Sequence, residues 1–194
     1  MKNLVLIFLL FTISCKAQTI SLETAAQCMQ QNAPFPCPTF NYAKDINNVL
    51  NKYVGHWKGN LNGLIYELKF VKKEFQGEDI KDDRLVGRIR IAGAPSAGFQ
   101  PLIIFDNFGE TDDDKTNFTG SGLQPDLTGY MVYFVGDSPE GCINYGTVYL
   151  TVNPGTPDQL SMMYWSDHDI VAGDCPTGFV QTFPEKQVIS LIKQ

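Results

Sequence analysis

The chain has 194 residues, 43% of them hydrophobic, with 15 basic against 21 acidic side chains and a formal net charge of −6. That length suits one domain with a sizeable core, and the acidic balance lacks the basic stripe that a phosphate backbone or an anionic membrane surface requires, so nucleic acid is not an expected partner. Seventeen glycines and eleven prolines scattered between short apolar runs point to an all-β fold.

The first predicted element is a targeting segment. Lys2, the apolar run Leu4 to Ile13 and then Ser14-Cys15 read as a bacterial secretory signal ending in a lipobox, too short to span a bilayer, with Cys15 as the lipidated residue. Cys15-Lys16-Ala17 also fits the small-x-small site of ordinary signal peptidase, which makes plain secretion the alternative. Lipidation would give Cys15 the multiple acyl chains that stable anchoring needs and place the protein in the cell envelope, on the outer membrane or cell surface, with the anchor its contact with the membrane. Residues 1–17 are therefore read as signal, 18–44 as tether, short helix and Pro-rich loop, and 45–194 as the folded domain. The four cysteines beyond Cys15 are an even number in an exported chain, so disulfides are expected. Three pairings are possible. Cys28 with Cys37 across a short Pro-rich loop, and Cys142 with Cys175 between neighbouring strand regions, is the favoured one; zinc is not favoured, because no C-x-x-C pair exists and His56 and His168 lie far from ligand spacing.

A short helix is expected within Ser21 to Gln31, and one or two helical turns over Asp45 to Val54, where Asp45 can cap and Val49, Leu50, Tyr53 and Val54 recur at helical spacing. Next, His56 to Leu61 and Leu64 to Val71 flank Asn62-Gly63, the pair favoured by a type I′ hairpin turn. Tyr66, Leu68 and Phe70 alternate with Glu67 and Lys69, and Arg84 to Ile91 repeats the pattern with Gly87 on the inner side. Further strands are predicted at Leu102 to Phe108, Thr116 to Gly120, Gly129 to Val135, Ile143 to Val152, Leu160 to Trp165 and Gln187 to Ile192. About eight to ten consecutive strands without intervening helices predict an up-and-down antiparallel β-barrel, which closes its own edges.

Gly55-His56-Trp57, at the mouth of the first strand and just after a helical turn, resembles the Gly-x-Trp entry of lipocalin-like (calycin) barrels, and Thr147-Val148-Tyr149 weakly echoes a second motif of that family. The resemblance covers about residues 45 to 71 and implies that Gly55 and Trp57 lie at the closed end of a barrel. The family also places an arginine near the last strand, whereas this chain has none after Arg90. As a whole the chain resembles small uncharacterised exported bacterial lipoproteins whose domain has no assigned function, which implies no active-site residues.

An eight-stranded barrel is either filled by side chains or holds one small ligand. Tyr66, Leu68, Phe70, Tyr130, Val132, Phe134, Met162 and Tyr164 are the candidate lining residues. Catalytic chemistry finds little footing: there is no Gly-x-Ser-x-Gly elbow and no phosphate-cradling loop, and no cofactor is implied. Glu110 to Lys115 lacks the glycine and glutamate positions of a calcium loop and reads as a solvated hairpin tip, and Asp167-His168-Asp169 as a turn, so no metal is expected. The expected function is that of a non-enzymatic, lipocalin-like binding protein for a small, largely apolar ligand. The alternative is an interaction or structural protein with a filled core that meets partners through loops such as Gly93 to Gln100 and Gly109 to Gln124.

Overall fold

A computed structural model describes residues 18–30, 33–94 and 100–194. Cys15 and the signal segment lie outside them, as does the middle of the loop from Gly93 to Gln100.

Strand β1 (Thr19–Ser21) leads directly into helix α1 (Leu22–Cys28), whose N-terminus is capped by Ser21 Oγ accepting from Thr24 N at 3.1 Å. Strand β2 (Tyr42–Lys44) runs parallel to β1 and pairs, again in parallel, with Lys81 and Asp82. Both strands have only three residues. They carry no readable alternation, which is why the sequence showed only a tether there.

The barrel follows as β3 (Gly55–Leu61), β4 (Leu64–Gln76), β5 (Lys81–Gly93), β6 (Ile103–Asp106), β7 (Phe118–Leu123), β8 (Tyr130–Val135), β9 (Tyr145–Val152), β10 (Gln159–Ser166) and β11 (Val188–Lys193). Each neighbour in the ring β3-β4-β5-β7-β8-β9-β10-β11 is antiparallel, and β11 pairs with β3 to close it. The fold is an eight-stranded up-and-down barrel, as the strand count predicted. Asn62 and Gly63 take φ of 53° and 79°, as a type I′ turn demands. β4 and β5 are each thirteen residues long and paired throughout, longer than the alternation alone indicated.

Two expectations need correction. The runs at Leu102 to Phe108 and Thr116 to Gly120 are not independent barrel strands: β6 pairs with one half of β5, at Ala92, Ile91 and Arg90, and β7 with the other, at Val86. They are two pieces of one barrel position, parted by an excursion over residues 107–117. Asn107 stitches the break, its Oδ1 accepting from Ile89 N at 2.6 Å while its Nδ2 donates to Thr116 O at 2.6 Å. Secondly, Asp45 to Val54 forms successive turns rather than helix. Asn48 sits at φ 57°, which interrupts helical propagation, although Asp45 does cap the segment by accepting from Val49 N at 2.7 Å.

The core fills this ring from end to end. Leu50 and Tyr53 plug the end where β3 starts, and Trp57 lies across it, its indole Nε1 donating to Tyr53 O at 2.7 Å. On the far side of that ring is Lys193 of the last strand, its ammonium 5.2 Å from the centroid. A lysine on β11 thus covers the tryptophan in a chain that has no late arginine. Gly87 faces inward as expected, and a Cβ there would run into the Phe118 and Phe70 rings.

Candidate functional site

The eight candidate lining residues do point inward, but they pack against one another rather than around a space. Leu68, Phe70, Val132, Phe134 and Met162 are 0% exposed, Tyr130 and Tyr164 1%, and Tyr66 2%. A void large enough for a water would leave accessible surface on its walls. Rings complete the filling: Phe118 stands 5.4 Å from Phe70 and 6.0 Å from Phe134.

The end opposite Trp57 is closed by a residue that sequence reasoning missed. Phe183 descends from the long loop between β10 and β11 into the mouth and lies 4.8 Å from Phe134, 5.6 Å from Tyr164, 6.3 Å from Phe118 and 6.4 Å from Tyr66. Buried Asn144 grips the loop beside it: its Oδ1 accepts from Thr182 N at 2.9 Å, and its Nδ2 donates to Thr182 Oγ1 at 3.0 Å and to Asp137 O at 2.7 Å. Disulfide Cys142–Cys175 ties the same two loops together, with Cα atoms 4.7 Å apart. Cys28–Cys37 joins α1 to the Pro-rich loop at 5.6 Å. Both pairings are the favoured ones, and two disulfides point to an oxidising environment. No helix among the described residues is long and apolar enough to cross a membrane.

With the interior filled, chemistry is left to the outside. The barrel wall is electrically lopsided. Outward positions on β3 to β5 carry ion pairs such as Lys58–Glu67 at 2.6 Å and Arg90–Asp106 at 2.8 Å, and Arg88 holds Asp113 at 3.0 Å. That contact, with Lys73 at 3.0 Å, ties Asp113 to the wall, while Thr111, Asp114 and Lys115 stay exposed and Lys115 pairs with Asp112 at 3.1 Å. The outward positions of β8 to β11 read differently: Met131, Tyr133 and Val135; Tyr145, Thr147, Tyr149 and Thr151; Gln159, Ser161, Met163 and Trp165; Val188, Ser190 and Ile192. None of them is charged.

At the upper margin of this face β10 ends in Ser166-Asp167-His168. The Tyr133 hydroxyl donates to Asp167 Oδ2 at 2.7 Å, and the Tyr145 hydroxyl to Asp169 Oδ2 at 3.0 Å. Burial, then the bond to Asp167, pushes the Tyr133 phenol up to about 12, and the bond to Asp169 raises Tyr145. Both phenols therefore stay protonated donors at neutral pH. Trp165 remains 42% exposed, with the Lys186 ammonium 4.8 Å from its centroid and His168 Nε2 3.5 Å from its Nε1. Two depressions meet at this corner. One, of about 280 Å³, lies on the wall between Thr147, Tyr149, Trp165, Ser166, Asp167 and His168. The other, of about 570 Å³, shares Ser166, Asp167 and His168 and runs over the disulfide-tied loops past Val171, Phe179 and Glu185.

Residues 1–92 match a family of unknown function (DUF6705). No curated protein and no solved structure matches the chain. The matched stretch ends within β5, so it takes in the Trp57 end and stops short of the Asp167 corner.

A third depression, about 250 Å³, lies between α1 and the barrel and is mostly apolar, with Leu22, Ala26, Met29 and Phe40. Its charged groups are already engaged: Arg84 is bidentate to Asp82 at 2.6 and 2.9 Å, and Asp83 accepts from Tyr42 and from Asp45 N. Little is left there to orient a ligand. Among the described residues no group of three or more His, Cys, Asp or Glu side chains is placed to hold a metal ion.

Proposed function

We propose that this protein is an exported, non-enzymatic binding protein that works through its outer surface, at the Asp167–His168 corner, and uses its barrel interior for stability alone. The observation carrying this reading is the near-zero exposure of Tyr66, Leu68, Phe70, Tyr130, Val132, Phe134, Met162 and Tyr164, which favours the filled core over an interior apolar ligand. The two disulfides support export, and the lipobox reading of Cys15 supports an acyl anchor in the cell envelope. The raised phenols at the corner support a non-catalytic role, since a group that stays protonated offers hydrogen bonds and not a base. Gly55, Trp57 and the covering Lys193 support a lipocalin-like closed end serving structure rather than uptake.

The test is native mass spectrometry of the full-length protein gently extracted from its own membranes. An acylated chain with no stoichiometric small molecule is the expected result. A removable apolar molecule whose retention is lost on Phe134→Trp would place the ligand inside and overturn the outer-surface reading.

A further inference from the structure

We infer that the wall depression between β9 and β10 is a saccharide subsite, taking one pyranose unit of a neutral glycan against Trp165 and Tyr149, with Asp167 and His168 meeting its hydroxyls. This rests on the outer-surface reading and names its ligand class. Charge is the first argument. The outward face of β8 to β11 carries no Lys, Arg, Asp or Glu, in a chain whose opposite wall is laced with ion pairs. Along the strands nothing is offered to a charged polymer, and at the upper margin Asp167, of one sign, stands with Lys186, of the other, so the complement of the whole is a ligand without net charge. It is not merely apolar, because threonine, serine and phenol hydroxyls are interspersed through it. A pyranose has the matching surface: one face of C–H bonds that lies on an aromatic ring and a rim of hydroxyls that needs polar partners.

Register supplies the geometry. Thr147 lies opposite Trp165 across the β9–β10 pair, and Tyr149 lies opposite Met163, two residues on and on the same face. The two aromatics therefore flank one depression from adjacent strands, and they are stiff, amphipathic platforms that lose little freedom on binding. Lys186 over the Trp165 ring and His168 at its Nε1 edge hold the indole in place. Polar orientation comes from Asp167, whose Oδ2 is fixed by Tyr133 while its Oδ1 accepts no hydrogen bond among the described residues. A carboxylate held by one oxygen presents the other to a sugar hydroxyl, and exposed His168, its Nε2 accepting from the indole, donates beside it through Nδ1. The depression of about 280 Å³ has the scale of one or two sugar units, and its junction with the 570 Å³ depression gives a chain room to continue.

The experiment is a fluorescence titration of the full-length protein with soluble hexasaccharides of β-1,4-glucose, α-1,4-glucose, β-1,4-mannose, β-1,4-xylose and β-1,4-N-acetylglucosamine. The chain has two tryptophans, and Trp57 is 1% exposed, so a change in emission reports on Trp165. At least one hexasaccharide should give a saturable shift, weakened at least tenfold in Asp167→Asn by the same titration and in Trp165→Ala, which lacks the reporter, by isothermal titration calorimetry. Far-UV circular dichroism and melting confirm that each variant is folded, and Trp165→Phe replaces the alanine variant, with calorimetric readout, if the latter is not. No saturable binding to any of the five, or binding undiminished in both variants, overturns the saccharide. Failure with all five beside an empty barrel by native mass spectrometry removes the saccharide and leaves the outer-surface reading standing. An interior molecule removes both, and a protein captured on the face in place of any glycan likewise overturns the inference.

Discussion

Phe183→Ala tests the filled barrel directly. The ring is 0% exposed, comes from a loop rather than a strand, and touches rings on four separate strands. Truncation removes its transfer free energy and leaves a void that rigid neighbours cannot fill, because Tyr66, Phe118, Phe134 and Tyr164 are fixed by their own strands. Phe→Ala losses in such settings run to about 3–5 kcal/mol. For a protein of this length that corresponds to a fall in Tm of roughly 6–20 °C. The assay is urea unfolding with the disulfides intact, followed by circular dichroism, with Phe179→Ala on the same loop as the partly exposed control. The control should lose no more than about 1 kcal/mol. The Phe183 variant should also admit xenon at the vacated mouth, as dry apolar cavities do. A loss below about 1 kcal/mol for Phe183→Ala would refute the plug and reopen the barrel interior to a ligand.

Trp57→Phe keeps the apolar ring but leaves the Tyr53 carbonyl without its buried donor, so a loss of about 1–3 kcal/mol is expected by chemical denaturation. Replacing Cys142 and Cys175 together by serine opens a loop of 33 residues and should destabilise by about 4 kcal/mol on chain-entropy grounds, which unfolding with and without reductant measures. Gly87→Ala drives a methyl into Phe118 and Phe70 and should cost about 1–3 kcal/mol, with the m-value unchanged. Hydrogen bonds from Lys73 and Arg88 hold the Asp113 carboxyl below its usual value of 3.8. Its contribution is therefore present above about pH 4 and lost as pH falls through the lower folded value, so Asp113→Asn should cost about 0.2–1 kcal/mol at pH 7 and progressively less as pH falls below about 4. An undiminished difference at pH 2 would reject that ion pair as the cause.

Local chemistry made much of this fold legible. Asn62-Gly63 fixes a hairpin, and the alternation in Tyr66-Leu68-Phe70 and Leu160-Met162-Tyr164 assigns an inner face, which also puts Trp165 outside. Cysteine spacing indicated both bridges. What escaped depends on distant pieces of chain meeting. β6 and β7 look like two strands because a charged stretch, Glu110 to Lys115, separates them, and only their shared partner β5 shows them to be one position. Phe183 lies in a long loop without periodicity, and nothing near it in sequence distinguishes a plug from a surface aromatic. Whether the barrel is open or filled is a sum over rings from several strands, which no single stretch records. The corner was half legible: Asp167-His168-Asp169 stood out as a charged group, but the tyrosines that orient its carboxylates come from β8 and β9.

The barrel has a direction. Its described N-terminal segment, β1, α1 and β2, joins at the start of β5, on the end that Trp57 closes, whereas β10 runs to the other end, its last residue Ser166 lying seven residues along from Gln159, which is level with Ile192 and Lys58, and Asp167 and His168 following directly. At about 3.3 Å per residue, that is some 23 Å of strand from the level of Lys58 to the Asp167 corner. A chain held at its N-terminus would carry this corner at its far tip, facing whatever medium lies beyond.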